Sequence, residues 1–376
     1  MKFMDFRNEL GKICPKAKNG ANIYFFGCGK RFEDLRKRYC SFANINLEDY
    51  IFAFIDNDVS KQGKDFYGKP VLSPNSVTPD NSVILITVIN NSDLSIERQM
   101  MDNGFFWRHD LFREITFFRI LKSWIFSQFM ELKDVHKNER CFIIGGGASL
   151  RASDLDMLIN EKTFAMNKIY KIFDETIWRP DYYITDDGAM TAQNLIISEK
   201  IKGLKFFRFD LCWNEIYRNK TIRFENVYYF SLIGNVHERP VEYKRPMFGE
   251  YPDMFFGGGS STYSCLQLAV FMGFKKIYLL GIDHEYSVML KNSGEVISNV
   301  KQDHFSVNYH NESIMEKYKS QGLFLLNVDL VTSAFQSAKE YAENHGIKIY
   351  NATRGGKLEV FERVNFDELF AKEEQL

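Results

Sequence analysis

None of the six cysteines (Cys14, Cys28, Cys40, Cys141, Cys212, Cys265) belongs to a CxxC pair, and several sit inside apolar runs. A thiol in such a place behaves as a small hydrophobe, which argues against a disulfide framework or a structural zinc centre and fits a reducing cytosol. An excess of one charge is also missing: 48 Lys and Arg against 49 Asp and Glu leave a formal −1. No broad field for nucleic acid is expected from that balance. No segment reaches membrane-spanning length, and the opening MKFMDFRNELGKICPK lacks a signal-type apolar core. The expected location is the cytoplasm, with the inner face of the membrane as the alternative. Proline is scarce, at 8 residues, while 35 Phe and 19 Tyr argue against disorder.

What is present points to two domains, since 376 residues exceed one ordinary core. The organising stretch is Cys141–Leu150, CFIIGGGASL. Its first four residues suit a strand buried on both faces of a parallel sheet. Gly145, Gly146 and Gly147 then allow a sharp turn, and Ser153-Asp154-Leu155-Asp156 carries helix-start residues. Strand, glycine turn and helix start together form a phosphate cradle; the alternative is a tight strand-to-helix turn that binds nothing.

Residues 21–112 read as a small α/β unit. Strands are expected at Asn22–Phe26, Ile51–Ile55 and Ser82–Val88, with helices at Phe32–Tyr39 and near Ile96–Asn103, an alternation that predicts a doubly wound parallel sheet. Gly27-x-Gly29 after the first strand and Asp56 after the second imitate half of a dinucleotide fingerprint, but Phe32 stands where the third glycine belongs. This stretch resembles the small Rossmann-like domain appended to many sugar-modifying enzymes, which implies structural or docking use ahead of cofactor binding. Asp56 and Asp58 are either a DxD metal pair or caps of a strand end, the second being preferred. Residues 113–139 form a helical linker with apolar residues at helical spacing. Packing between domains is its expected use, and a membrane-surface helix the alternative.

From residue 140 to the end a second α/β domain is expected. Strands there end on Asn167, on Asp186 and Asp187, and on Asp283, and in open parallel sheets ligands sit beyond those ends. Gly257-Gly258-Gly259-Ser260-Ser261-Thr262 opens a helix and repeats the anion-site pattern. Residues 284–311 show no periodicity and contain His284, Tyr286, His304, Tyr309 and His310, the composition of a binding loop or lid. Arg354, in the loop after the last strand, could hold a phosphate or carboxylate.

GGGASL, Asn167, PDYYITDD, the GGGSSTYSCLQLAVFMGFKKIYLLGID run, the His304-Phe305 lid and IYNATRGG, taken in that order, resemble bacterial domains of the motility-accessory-factor type. Hydroxymethylpterin diphosphokinase-like proteins carry related versions. The pattern is more distantly similar to bacterial sialyltransferases that use CMP-activated sugars. The resemblance covers roughly residues 140–361. It implies that Gly145, Gly146, Gly147 and Ser149 bind a nucleotide, with Asn167 on its ribose or phosphate side and Asp283 at its end of the site. Ser260 and Ser261 would meet the phosphate or donor sugar, and Tyr286 would steady the leaving phosphate. His304 or His310 would be the base, His304 being preferred because it opens the HF motif. Two positions depart from the sialyltransferase pattern: Gly146 replaces an asparagine, and a glycine replaces the arginine before the serine loop. Both bear on the donor sugar more than on the nucleotide.

The resemblance therefore implies two Rossmann-like doubly wound domains joined by a helical linker. The second would be a glycosyltransferase of bacterial surface polysaccharide or glycan assembly. It would move a sugar, sialic acid-like in one version, from a nucleotide-sugar donor to a glycan acceptor. No metal is required, although Mg²⁺ is permitted. Peripheral membrane association and a homo-oligomer are also permitted. One alternative is pyrophosphoryl transfer from ATP to a hydroxymethyl substrate, with Mg²⁺ on Asp186, Asp187 and Asp283. Another is a non-catalytic scaffold.

Overall fold

The computed structural model describes residues 3–88, 91–187, 194–212, 226–233, 247–249, 255–291, 293–298, 303–306 and 326–371. His310 and Tyr309, named above as lid residues, lie outside them. Two compact units divide the chain, one over Met1–Ser127 and one over Gln128–Cys212 and Phe224–Leu376. Both are open α/β sheets, and no described helix is long and apolar enough to cross a membrane.

In the first unit the strands are β1 (Asn22–Phe26), β2 (Ala53–Ile55), β3 (Asp65–Phe66), β4 (Lys69–Leu72), β5 (Ser82–Ile86) and β6 (Leu111–Arg113). Their order is β3-β4-β2-β1-β5-β6, parallel except for the β3–β4 pair. That pair is a tight hairpin through Tyr67 and Gly68, both at positive φ (53° and 73°), as a primed two-residue turn requires. Helix α1 (Lys30–Ala43) follows β1 and α2 (Asn91–Asp102) follows β5. The chain winds outward from β1 on both sides, so the order reverses between β1 and β5. Phe32, in place of a third fingerprint glycine, is a core ring, edge-on to Phe25 at 5.4 Å and to Phe54 at 4.7 Å. Helix α3 (Glu114–Phe129) carries the boundary between units: Phe117 packs on Phe25 in the first core, and Phe129 on Phe206 and Phe271 in the second. Asp56 and Asp58 are caps. Asp56 accepts from the Asp58 N–H (2.9 Å), and Asp58 accepts from the Ser60 N–H (2.9 Å).

The second unit adds β7 (Arg140–Ile144), β8 (Lys162–Met166), β9 (Tyr182–Thr185), β10 (Leu204–Arg208) and β11 (Val227–Phe230). Two-residue strands β12 (Leu232–Ile233) and β13 (Phe255–Phe256) pair with each other. Then come β14 (Lys276–Leu280), a hairpin of β15 (Val288–Leu290) and β16 (Val296–Ser298), β17 (Lys348–Asn351) and β18 (Glu362–Arg363). The main sheet runs β11-β10-β9-β8-β7-β14-β17-β18, and every pairing in it is parallel. Its order reverses between β7 and β14. Helix α4 (Ser261–Phe271) is buried along its whole length, and its sequence accordingly carries no charged residue on any side. Helix α5 (Val328–Asn344) instead buries one stripe, Val331, Ala334, Phe335, Ala338 and Ala342.

Candidate active site at the strand-order reversal

Ligands of doubly wound sheets bind beyond the carboxyl ends of the strands where the order reverses. In the second unit that place is the gap between β7 and β14. Ile144 pairs with Leu280, so Gly145 and Gly281 leave the sheet side by side. The two turns are stitched together. The Gly145 N–H donates to the Leu280 carbonyl (2.8 Å) and the Gly147 N–H to the Gly281 carbonyl (2.9 Å). Asp283 then reaches across, accepting from the Ser149 N–H (3.0 Å) and from the Ser149 hydroxyl.

This closeness, more than a ligand, explains the glycines. A Cβ on Gly145 would lie 2.3 Å from Ile282 Cδ1 and 2.4 Å from the Gly281 carbonyl oxygen. One on Gly147 would lie 2.6 Å from Asp283 Oδ1. The helix after the turn is also short, Ala152–Asp156. The expected cradle of outward amides and a strong helix dipole is thus altered: the Gly145, Gly147 and Ser149 amides already donate within the fold. An anion entering here would draw on Gly146 and Ala148.

The loop bearing His304 closes on the same turn. The Gly146 carbonyl accepts from the Phe305 N–H (3.1 Å) and from His304 Nδ1 (3.1 Å). A carbonyl only accepts, so Nδ1 carries the proton and Nε2 carries the lone pair. Burial, with the Lys168 ammonium adding to it, pushes the His304 pKa below its ordinary value, against opposing pulls from Gly146, Asp303 and Asp283. His304 is therefore held neutral, in the tautomer a general base needs. Asp303 anchors this loop to the strand-end segment by accepting from both the N–H and the hydroxyl (2.6 Å) of Ser287. Tyr286, next in the chain to Ser287, packs edge-on to the His284 ring. Burial first, then the Asp303 and Asp283 carboxylates, raise the Tyr286 pKa to about 12, so the phenol keeps its proton.

A second cluster sits at the ends of β8 and β9. Asp186 accepts from the hydroxyls of Ser261 and Ser264 (2.8 Å for Ser264), and the Ser261 hydroxyl also lies 3.5 Å from Asn167 Oδ1. Asn167 adopts a left-handed φ of 52°, a conformation asparagine tolerates, and its carbonyl accepts from the Tyr183 hydroxyl (2.7 Å). Ser260 caps α4 by accepting from the Thr262 N–H (3.3 Å). Gly258 is explained by packing: a Cβ there would meet the Tyr263 ring at 2.3 Å. Asp187 is exposed, its N–H 3.4 Å from the Thr185 hydroxyl.

Of the residues expected from sequence, the described ones fall into these two clusters except Arg354 and His284. The Arg354 guanidinium clamps Asp154 (2.8 and 3.0 Å) and Asp367, tying the last loop to the turn after β7. Asp154 is 3% exposed, so this pair holds the fold together. Sequence reading missed Ser264, whose signal was its position three residues after Ser261 on the same helical face. His284, expected among the lid residues, instead packs against α5. That residue is buried at a left-handed φ of 51°, and Nε2 lies 2.7 Å from the Thr332 hydroxyl. Because that hydroxyl donates to the Val328 carbonyl (2.8 Å), Nε2 must be the donor, leaving a buried Nδ1 lone pair without a partner. Among the described residues no group of three His, Cys, Asp or Glu side chains converges as a metal site.

No curated protein matches the chain. In three dimensions it is similar to the MAf glycosyltransferase from Magnetospirillum magneticum AMB-1, at 12% identity and a TM-score of 0.35. The overlap takes in 98% of this chain and 63% of that one, so this chain spans less than two thirds of the other's length. A family model described as 6-hydroxymethylpterin diphosphokinase MptE-like matches residues 116–288, a stretch that contains β7 to β14 and both turns of the order reversal but not His304 or Arg354. Over those residues the chain is similar to that family.

Proposed function

We propose that the second unit is a transferase that seats a phosphate-bearing nucleotide donor between the β7 and β14 turns. The favoured donor is a nucleotide sugar and the acceptor a glycan hydroxyl. The single observation carrying this reading is the His304 contact: Nδ1–H bound to the Gly146 carbonyl leaves Nε2 as a neutral base beside the turn that would hold the donor phosphate. In the reaction, Nε2 takes the proton of the acceptor hydroxyl while its oxygen bonds to the anomeric carbon. The bond from that carbon to the phosphate oxygen breaks, and the nucleotide departs with the electron pair. Tyr286, protonated at neutral pH, supplies a hydrogen bond to the departing phosphate, with Ser260 and Ser261 as further donors. Asp283 acts through Ser149, fixing the turn, and is a positioning residue. CMP is the nucleotide the sialyltransferase resemblance favours, and bacterial surface glycan assembly is the setting it suggests. His304→Ala is expected to abolish transfer and leave nucleotide binding largely intact; full transfer by that variant would move the base elsewhere.

A second reading is favoured by the family match: pyrophosphoryl transfer from ATP to a hydroxymethyl substrate. It would need Mg²⁺ on Asp186, Asp187 and Asp283. The fit is poor, because both oxygens of Asp186 and of Asp283 accept hydrogen bonds from serines. EDTA separates the two readings: sugar transfer from a CMP donor would survive it, and ATP-dependent transfer would not.

A further inference from the structure

We propose that the first unit has its own ligand site, a crevice between β1 and β5 that binds a nucleoside phosphate of one nucleotide rather than a dinucleotide. The crevice has a volume of about 560 Å³ and opens at the carboxyl ends of β1, β2 and β5, where that sheet reverses order. This is within the range of small-molecule sites and at the place doubly wound sheets use for them. One observation singles it out from an empty fold feature. Gly27 is needed by the backbone, having φ +105° and a Cβ position 2.8 Å from Val88 Cγ2. Gly29 is not: its φ of −159° is ordinary extended backbone, and a Cβ there would meet nothing within 4 Å. A glycine that neither packing nor conformation requires, lining a crevice, is explained by close approach of a ligand to the backbone.

The lining has the chemistry of a phosphate site at one end. Lys30 and Arg31 stand in the first turn of α1, a 14-residue helix whose N-terminus has no side-chain cap. Asp56 does not oppose them, since its carboxylate is neutralised within the fold. It accepts from the Lys61 ammonium (3.0 Å) and from the N–H (3.2 Å) and thiol (3.1 Å) of Cys28. The same engagement argues against a dinucleotide, which would use this strand-end carboxylate for a ribose diol. Phe32 adds to that, because its ring holds the helix off the strand where a third glycine would bring them close. Val88 and Ile96 give the crevice an apolar wall for a base.

The test is photo-crosslinking of the full chain with 8-azido-ADP and 5-azido-UDP, followed by peptide mapping. At least one probe is expected to label residues 27–31, 56–61 or 87–96. Gly29→Leu, whose Cβ would meet nothing within 4 Å and whose longer side chain takes up space at the crevice lining, should remove that label while leaving any label in the second unit. Lys30→Glu, at an exposed position, should weaken it about tenfold, and NAD⁺ should compete at least tenfold more weakly than ADP. Labelling confined to the second unit, or labelling untouched by Gly29→Leu, overturns the site. Equal competition by NAD⁺ overturns the single-nucleotide assignment.

Discussion

His284 should make the second unit sensitive to acid in a window set by its burial. The ring is 8% exposed, packs edge-on to Phe335 at 5.7 Å, and has a buried Nδ1 with no partner. Protonating it places a charge where no acceptor stands, and burial lowers its pKa from 6.5 to about 4. In the unfolded chain the same imidazole takes its proton near 6.5. Between those values the unfolded state binds more protons, so stability is full above about pH 6.5 and is lost as pH falls towards about 4. At roughly 1.4 kcal/mol per pH unit, the gap from 6.5 to about 4 corresponds to about 3 kcal/mol. Urea unfolding at a series of pH values, compared with His284→Asn, measures it; asparagine suits the left-handed backbone and does not titrate. The variant should be less stable at neutral pH, with the difference shrinking steadily on acidification. An unchanged difference from about pH 7 to about pH 4.5 would refute the reasoning.

Arg354→Ala strands Asp154, 3% exposed, without its counter-charge, and should cost about 3 kcal/mol in urea unfolding at neutral pH. An unchanged midpoint would mean the clamp is dispensable and free Arg354 for the ligand role. Gly258→Ala drives a Cβ to 2.3 Å from the Tyr263 ring and should destabilise by about 1–3 kcal/mol. Gly29→Ala, by contrast, meets nothing and should change stability by less than about 1 kcal/mol, because restricting the unfolded chain offsets the loss of a favoured N-cap residue. Thermal melts that rank these two glycines the other way would contradict the packing account.

Much of the scaffold was legible because strand and helix periods differ and because buried parallel strands read as unbroken apolar runs. Cys141–Ile144, Ile277–Leu280 and Ser82–Ile86 all sit in strands as expected. Strand ends at Asn167, Asp186 and Asp283 were visible as polar residues closing apolar runs, and they do lie along one rim. What the sequence hid was partner choice. The glycines of the β7 turn look like a ligand cradle until Gly281 and Asp283 are seen against them, a pairing more than 130 positions away in the chain. Arg354 reads as an anion receptor in an open loop, yet its carboxylates come from Asp154 and Asp367. His284 reads as a lid residue, and its burial gave no local sign, since that depends on Phe335 and Thr332 of α5. Contacts at such separation leave no period or spacing behind.

The most direct test of nucleotide binding at the β7–β14 turns is amide hydrogen exchange of the full chain in the absence and presence of CMP or ATP. The account predicts slowed exchange at residues 145–149 and 260–262 with at least one of the two. Unchanged exchange at both turns, or protection only elsewhere, would contradict it.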